Sequence, residues 1–335
     1  MKKALPYIGI IISLFFLYLT FHNVNFGLMR MHLGHITVPA VAGVFVCNLL
    51  FFIIRALYQI NNLHYLKAGI SFRSSLGAIA TAQFYNNLLP ARIGDIIRSI
   101  TLKKQEGLAV ASVLSYIIVE KIADMTLMLL LLVVILAIGF QIAGITSIMV
   151  ISAVILFCIT GTLIVFVRCN GWLLSRGLWI MPARLHPLMI RLNSELVSGL
   201  QCFRSKRQVF IAIGLLLAGW LMVIGVFYFI SLPYLPLLGL PWYACLFFTV
   251  FSIFSMSVPS APAGIGVVHY GLFLAISLLN RTIISTQLDL VAALIIIMHL
   301  TSYLVDLILS GGLLLIMRTN CSPHGRSHLK SAGLN

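Results

Sequence analysis

Glu120, Lys121 and Asp124 stand ten or more residues inside a long apolar run, Val110–Phe140. An acidic group at the centre of a bilayer costs roughly 2.5–3.5 kcal/mol on insertion scales, so such residues keep a partner or line a watery path. Glu120 and Asp124 are four residues apart and share one helix face. Two uses fit that face. It is either a polar wall for a lipid headgroup or a proton, or a structural pair to Arg55 or Arg92. No positioned nucleophile or metal motif accompanies it, so hydrolytic chemistry is not expected.

A second constellation is Asn86-Asn87-Leu88-Leu89-Pro90-Ala91-Arg92-Ile93-Gly94-Asp95, followed by Arg98. Pro90 lacks an N–H and Gly94 tolerates positive φ, so a helix is expected to break here. Asn86 and Asn87 would then partner the freed backbone groups. Arg92 and Arg98 can grip a phosphate with Asp95 orienting one of them. The alternative is a cytoplasmic helix start, with Asp95 in its first turn and two snorkelling arginines. Pro259-Ser260-Ala261-Pro262-Ala263-Gly264-Ile265-Gly266-Val267-Val268-His269 forms a second break. Its glycine-rich backbone leads into a helix and suits an anion. His269 is either a phosphate contact or an interfacial histidine. In the last span, His299, Tyr303 and Asp306 fall on one face, as a proton relay, a headgroup contact or an interhelical hydrogen bond.

The elements that hold these residues follow from composition. The 335 residues are 61% hydrophobic and 9% charged, with a mean hydropathy of +1.10. Soluble domains carry about 25% charged residues, so a water-soluble core is excluded. Apolar runs of about 20 residues recur, without the alternation of barrel strands, and predict an all-α polytopic membrane protein. The expected spans are Leu5–Phe21, Thr37–Tyr58, Ser74–Leu89, Val110–Phe140, Ile145–Val167, Val209–Ile230, Trp242–Val258, Val267–Leu279 and Asp289–Met317. Those at Ser74, Trp242 and Val267 are short. Leu5–Phe21 reads as an uncleaved first span, because no small-residue cleavage site follows it. Residues 1–318 form one membrane domain, with candidate halves 1–168 and 208–318 joined by a cytoplasmic amphipathic segment, 169–207. Residues 319–335 read as a disordered basic tail.

The net charge of +15 sits beside spans, where orientation and anionic lipid explain it and nucleic acid does not. With both termini cytoplasmic, eighteen Lys/Arg lie inside and two, Arg30 and Arg281, outside. That tally requires the first break to dip in from the inside and the second from the outside. Pro90-Ala91-Arg92-Ile93-Gly94 and Pro262-Ala263-Gly264-Ile265-Gly266 also share four of five residues. Opposed re-entrant segments with matching motifs suit an inverted repeat whose halves meet at the midplane; coincidence in so short a match is the alternative. Six scattered cysteines predict no disulfides. No P-loop is present, no cofactor is expected, and the Cys321, His324 and His328 run is too sparse to suggest a metal.

Together, Asn86 to Arg98, the Glu120-Lys121-x-x-Asp124 face and Pro259-x-x-Pro262-Ala263-Gly264-Ile265-Gly266 resemble the membrane domain of the lysylphosphatidylglycerol synthase/flippase family. The resemblance implies a flippase-like bacterial inner-membrane protein of about eight spans. Some members add a soluble domain that transfers an amino acid from tRNA to phosphatidylglycerol. No such domain fits in this chain, so translocation of a phospho- or isoprenoid-linked lipid without lipid synthesis is expected. Membrane lipids are the expected partners, with an envelope-assembly partner or a second copy as further options. The departures are Lys121 for a common arginine, Ala263 for a glycine, Val268-His269 for Arg-Glu, and His299 for an arginine. An intramembrane lipid-modifying transferase and a non-transporting assembly scaffold are the competing classes.

Overall fold

The computed structural model describes residues 5–89, 93–137, 154, 182, 184, 186–200, 205–256, 258 and 260–319. Among the described residues the regular structure is entirely helical. Four helices are long and apolar enough to cross a membrane, or five if the bent pair Gly9–Phe21 and Phe26–His35 is one broken span.

The pair begins with α1 (Leu5–Phe21), which is apolar throughout and exposes Ile11, Leu14 and Tyr18. Such a surface suits lipid and not water. An 84° bend leads into α2 (Phe26–His32), a helix the sequence reading treated as loop. Asn25 caps α2 by accepting from the N–H groups of Gly27 and Leu28. Its own N–H donates to Asp289 Oδ1 at 2.7 Å, which ties the bend to the start of the last helix.

α3 (Val38–Leu63) begins on a Thr37 cap. It runs past the apolar stretch that ends at Tyr58, because the fully buried Gln59 finds polar partners inside the protein. α4 (Phe72–Leu88) and α5 (Gly94–Glu106) then form an antiparallel hairpin around the first break. Both of its ends are fastened. At the break, the Gly94 N–H donates to Asn86 Oδ1 at 2.9 Å. At the open end, Glu106 accepts from the Ser71 N–H at 3.2 Å and pairs with Lys67.

That open end carries a pH dependence. Burial raises the Glu106 carboxyl, but hydrogen bonds from Lys67, Ser74 and the Ser71 N–H outweigh it and hold it below its usual range. A carboxyl whose folded pKa is depressed contributes stability above its unfolded value of about 4.3, and that contribution is lost as pH falls through the folded value. Melting temperatures in detergent should therefore drop on acidification below about pH 4.3. Glu106→Gln should flatten that part of the profile; an unchanged slope would remove the hairpin clasp from the stability account.

α6 (Val110–Ala137) is long enough to span but is interrupted by Glu120, Lys121 and Asp124. α7 (His186–Leu200) lies against it, with the Ser112 and Ser198 hydroxyls 3.0 Å apart. Of the expected span at Ile145–Val167, all but residue 154 lies outside the described residues. α8 (Lys206–Ser231) packs along α3. α9 (Ala244–Ser255) and α10 (Val267–Leu279) form a second hairpin around the second break, which contains a single 3-10 turn, Pro262–Gly264. After the short α11 (Arg281–Thr286), α12 (Leu288–Thr319) runs 32 residues, about 48 Å at 1.5 Å per residue.

α12 is the most buried of the span-length helices and touches α2, α3, α4, α8 and α10. The main core joins Phe52 and Val44 of α3 to Trp220 and Phe227 of α8, Phe247 and Phe248 of α9, Leu272 of α10 and Leu294 of α12. A smaller cluster of Tyr58, Leu63, Leu102, Val113 and Tyr116 packs α3, α5 and α6 together at the open end of the first hairpin. The charged residues of α5 and α6 are buried beside it.

Candidate functional site

Arg98 and Glu120 meet in that interior. Arg98 donates to both carboxylate oxygens of Glu120, at 2.9 and 3.0 Å, and through Nε to Gln59 Oε1 at 2.6 Å. Tyr116 donates to Glu120 at 2.5 Å, and its ring lies 5.5 Å from the guanidinium. Gln59 passes the network on to Ser75 at 2.8 Å, and the Ser75 hydroxyl ends it on the Ala56 carbonyl. Arg98 is 2% and Glu120 3% exposed, so these bonds stand in for water completely. The guanidinium that could have gripped a phosphate is occupied by protein.

A second buried pair lies alongside. Arg55 donates to Asp124 at 2.6 Å, and Trp220 Nε1–H donates to the same oxygen at 3.0 Å. The rings of Phe51 and Tyr58 flank Arg55, whose buried Nη1 has no hydrogen-bond partner among the described residues. Asp124 thus has the Arg55 partner that the sequence left as one of two readings. Lys121 points elsewhere, about half exposed, with its ammonium 3.7 Å from Asp95. Asp95 sits in the first turn of α5 and faces a lysine, where the sequence offered it an arginine.

At the first break, Asn87 and Gln83 donate to Asp306 Oδ2 of α12, at 2.5 and 2.8 Å. Asp306 is 8% exposed and, among the described residues, has amides and no cation for partners. Gly94 presses onto α4 so closely that a Cβ would lie 2.0 Å from the Ala82 carbonyl oxygen. Pro90 and Arg92 lie outside the described residues, as does Pro259.

The second break is held from two sides. From α1, Ser13 Oγ accepts the Ala261 N–H at 2.8 Å. From α12, His299 Nε2 lies 3.0 Å from the Ala263 carbonyl oxygen and His299 Nδ1 lies 3.3 Å from His269 Nδ1. The backbone takes positive φ at Ala263, Gly264 and Gly266. The turn begins at Pro262, and Gly266 caps α10 by donating its N–H to His269 Nδ1 at 3.2 Å. Between α1, α2, this break and α12 opens a cavity of about 590 Å³. Leu17, Phe21, Phe26, Ile265, Ile296 and Leu300 make it apolar, while His269, His299 and Tyr303 supply polar edges.

The structure therefore divides the expected site residues into two groups. Asn86, Asn87, Gly94 and Asp306 gather at the first break, and Pro262, Gly264, Gly266, His269, His299 and Tyr303 at the second. Because 3-10 turn Pro262–Gly264 packs on α4, the groups are neighbours. Arg98, Glu120 and Asp124 belong to the interior network instead. Gln59, Gln83, Tyr116 and Ser13 were missed. A polar residue one turn from another in an apolar helix, as Gln59 is from Arg55 and Gln83 from Asn87, is the signal that could have found two of them.

Comparison with curated proteins and with solved structures returned no match. The family model described as the lysylphosphatidylglycerol synthase TM region matches residues 7–310. That match spans both breaks, both buried ion pairs and most of α12, and the chain belongs to the lysylphosphatidylglycerol synthase transmembrane-region family.

Proposed function

We propose that this protein moves an amphipathic lipid across the inner membrane, without itself synthesising it. One observation carries the reading: a single buried helix holds both breaks beside an apolar cavity. α12 meets the second break through His299 and the first through Asp306, seven residues and about 10 Å further along. Polar side chains and unwound backbone in lipid are tolerated where they line a cavity or are buried in protein. Here the tails would occupy the cavity or the surrounding bilayer while the headgroup passes the polar residues of the breaks.

Re-entrant placement of the two hairpins is supported by α4, α5 and α9, of 17, 13 and 12 residues, while the remaining arm reaches 18 residues only when the 3-10 turn is counted with α10, Pro262–Leu279. Each is shorter than the roughly 20 residues a span needs. In the favoured topology both termini are cytoplasmic, the hairpins enter from opposite faces and the total is about eight spans. Cysteines placed at the exposed positions Gln105 and Asn280 should react with impermeant maleimide from opposite sides of the membrane. Labelling from one side would overturn the opposed arrangement.

The functional test is translocation of a fluorescent phospholipid in vesicles containing the full chain. Asp306→Asn keeps the size of the side chain and removes its charge. It should slow translocation about tenfold, equivalent to about 1.4 kcal/mol in the barrier, and Arg92→Ala should do likewise. Rates equal to the unaltered protein for both variants would sink the assignment.

A further inference from the structure

The histidine pair has a hydrogen-bonding pattern that no neutral arrangement satisfies. The Gly266 N–H can only donate, so His269 Nδ1 presents a lone pair to it. The Ala263 carbonyl can only accept, so His299 Nε2 must carry a hydrogen. A neutral His299 then turns a second lone pair toward His269 Nδ1, 3.3 Å away. The other neutral tautomer sets Nε2 against the Ala263 oxygen instead. Each leaves two acceptors facing one another at a site 7% exposed at His299, where unmade hydrogen bonds are costly. One added proton removes both conflicts, with the Gly266 N–H and the His299 Nδ1–H sharing the single lone pair of His269 Nδ1. His299 as imidazolium donates through Nδ1 to His269 and through Nε2 to Ala263.

Among the described residues, that charge has no counter-ion in contact. Phe21 of α1 stands edge-on to His269, with ring centroids 5.6 Å apart, and Tyr303 lies one turn along α12 from His299. The other titratable or charged side chains nearby are Tyr18 of α1 with His22 stacked on it, Arg30 and His32 of α2, and Tyr270 of α10. Asp306 is two turns away and bonded to Gln83 and Asn87. α9 contributes only Cys245, and α4, which meets the 3-10 turn, contributes Tyr85. With Nδ1 accepting, His269 carries its hydrogen on Nε2, which makes no hydrogen bond among the described residues and belongs to a ring lining the cavity. An imidazolium in an apolar pocket is unfavourable alone and favourable beside an anion.

We propose that His269 and His299 form a one-proton site in the wall of the cavity, and that the cavity takes up an anionic amphiphile together with that proton. The ligand class is a lipid of net negative charge, with one phosphate-type anion, no headgroup cation, and apolar tails. By linkage, its affinity rises as the pH falls. This goes beyond translocation: it requires binding of such a lipid, not movement of it.

The test uses the full chain in nanodiscs, with fluorescent phosphatidylglycerol as probe and fluorescent phosphatidylcholine as zwitterionic control. Between about pH 8 and pH 5, where imidazoles titrate, phosphatidylglycerol binding should tighten about tenfold, the change that one pKa unit of coupling produces. Phosphatidylcholine binding should stay flat, and His299→Gln should flatten the phosphatidylglycerol profile. Nitrogen NMR of histidine-labelled protein reads the pair directly. With phosphatidylglycerol at about pH 5, one imidazolium absent from His299→Gln should appear. A pair that stays neutral, or an affinity indifferent to pH in the unaltered protein, would overturn the proposal. Proton-linked binding in a protein that fails to translocate lipid in vesicles would uphold the site and refute translocation alone.

Discussion

Arg98→Met should lower the stability of the protein by about 3–5 kcal/mol, the cost of stranding one member of a buried ion pair. Glu120 would keep the Tyr116 hydroxyl at 2.5 Å but lose both guanidinium bonds, and Gln59 Oε1 would lose its donor. The same reasoning makes the double variant Arg98→Met/Glu120→Leu much milder. Replacing both charges by apolar groups of similar volume is often neutral or better. Unfolding of the two single variants and the double in detergent gives the coupling energy. Additive losses would mean that the two residues do not act as a pair. Translocation by the double variant then separates two roles. If it is retained, Arg98 and Glu120 hold α5 against α6; if it is lost in a stable protein, the headgroup uses them.

Gly266→Ala should be comparably severe, at about 3–5 kcal/mol, for two reasons that add. At φ +86°, ψ −58°, the backbone lies where a side chain is strained, at a cost of order 1–3 kcal/mol. The new Cβ would also lie 2.2 Å from the Ser13 carbonyl oxygen. Relieving an overpacked contact costs about 1–3 kcal/mol and forces a shift of α1 or of the turn. The measurable consequence is loss of the Ser13–Ala261 bond and an earlier melting transition. Gly69→Ala is the control, since Gly69 also has positive φ, +80°, but faces open space. If both substitutions cost the same, packing against α1 contributes nothing.

Much of this was legible before the structure, and for identifiable reasons. Apolar runs in a bilayer have one regular solution, so α1 and α10 match their expected bounds and α12 extends them by only a few residues. Pro262 with Gly264 and Gly266 marks a break through glycines at positive φ, whereas Gly94 begins α5 and its lack of a side chain serves the close seat against Ala82. Partner choice was not legible in the same way. Arg92, Arg98 and Arg55 were interchangeable cations near Asp95, Glu120 and Asp124, and only packing decided the pairs. α5 packs beside α6, which delivers Arg98 to Glu120; α3 also meets α6 and delivers Arg55 to Asp124. The amide contacts of Asp306 were hidden for another reason. They join residues more than 200 positions apart and depend on α4 reaching α12, a fact of topology and not of composition.

The two breaks are fastened by different means, and this divides the molecule mechanically. The first is closed within its own hairpin, by Asn86 at one end and the Glu106 clasp at the other. The second is bolted to α1 through Ser13 and the close seat of Gly266. The first hairpin is also tied to α3 and α6 through Ser75, Gln59, Arg98 and Glu120, so it must carry those helices with it, whereas the second must carry α1. α12 is the rail common to both. Separating the two breaks would require release of either the Asp306 amides or the His299–Ala263 contact.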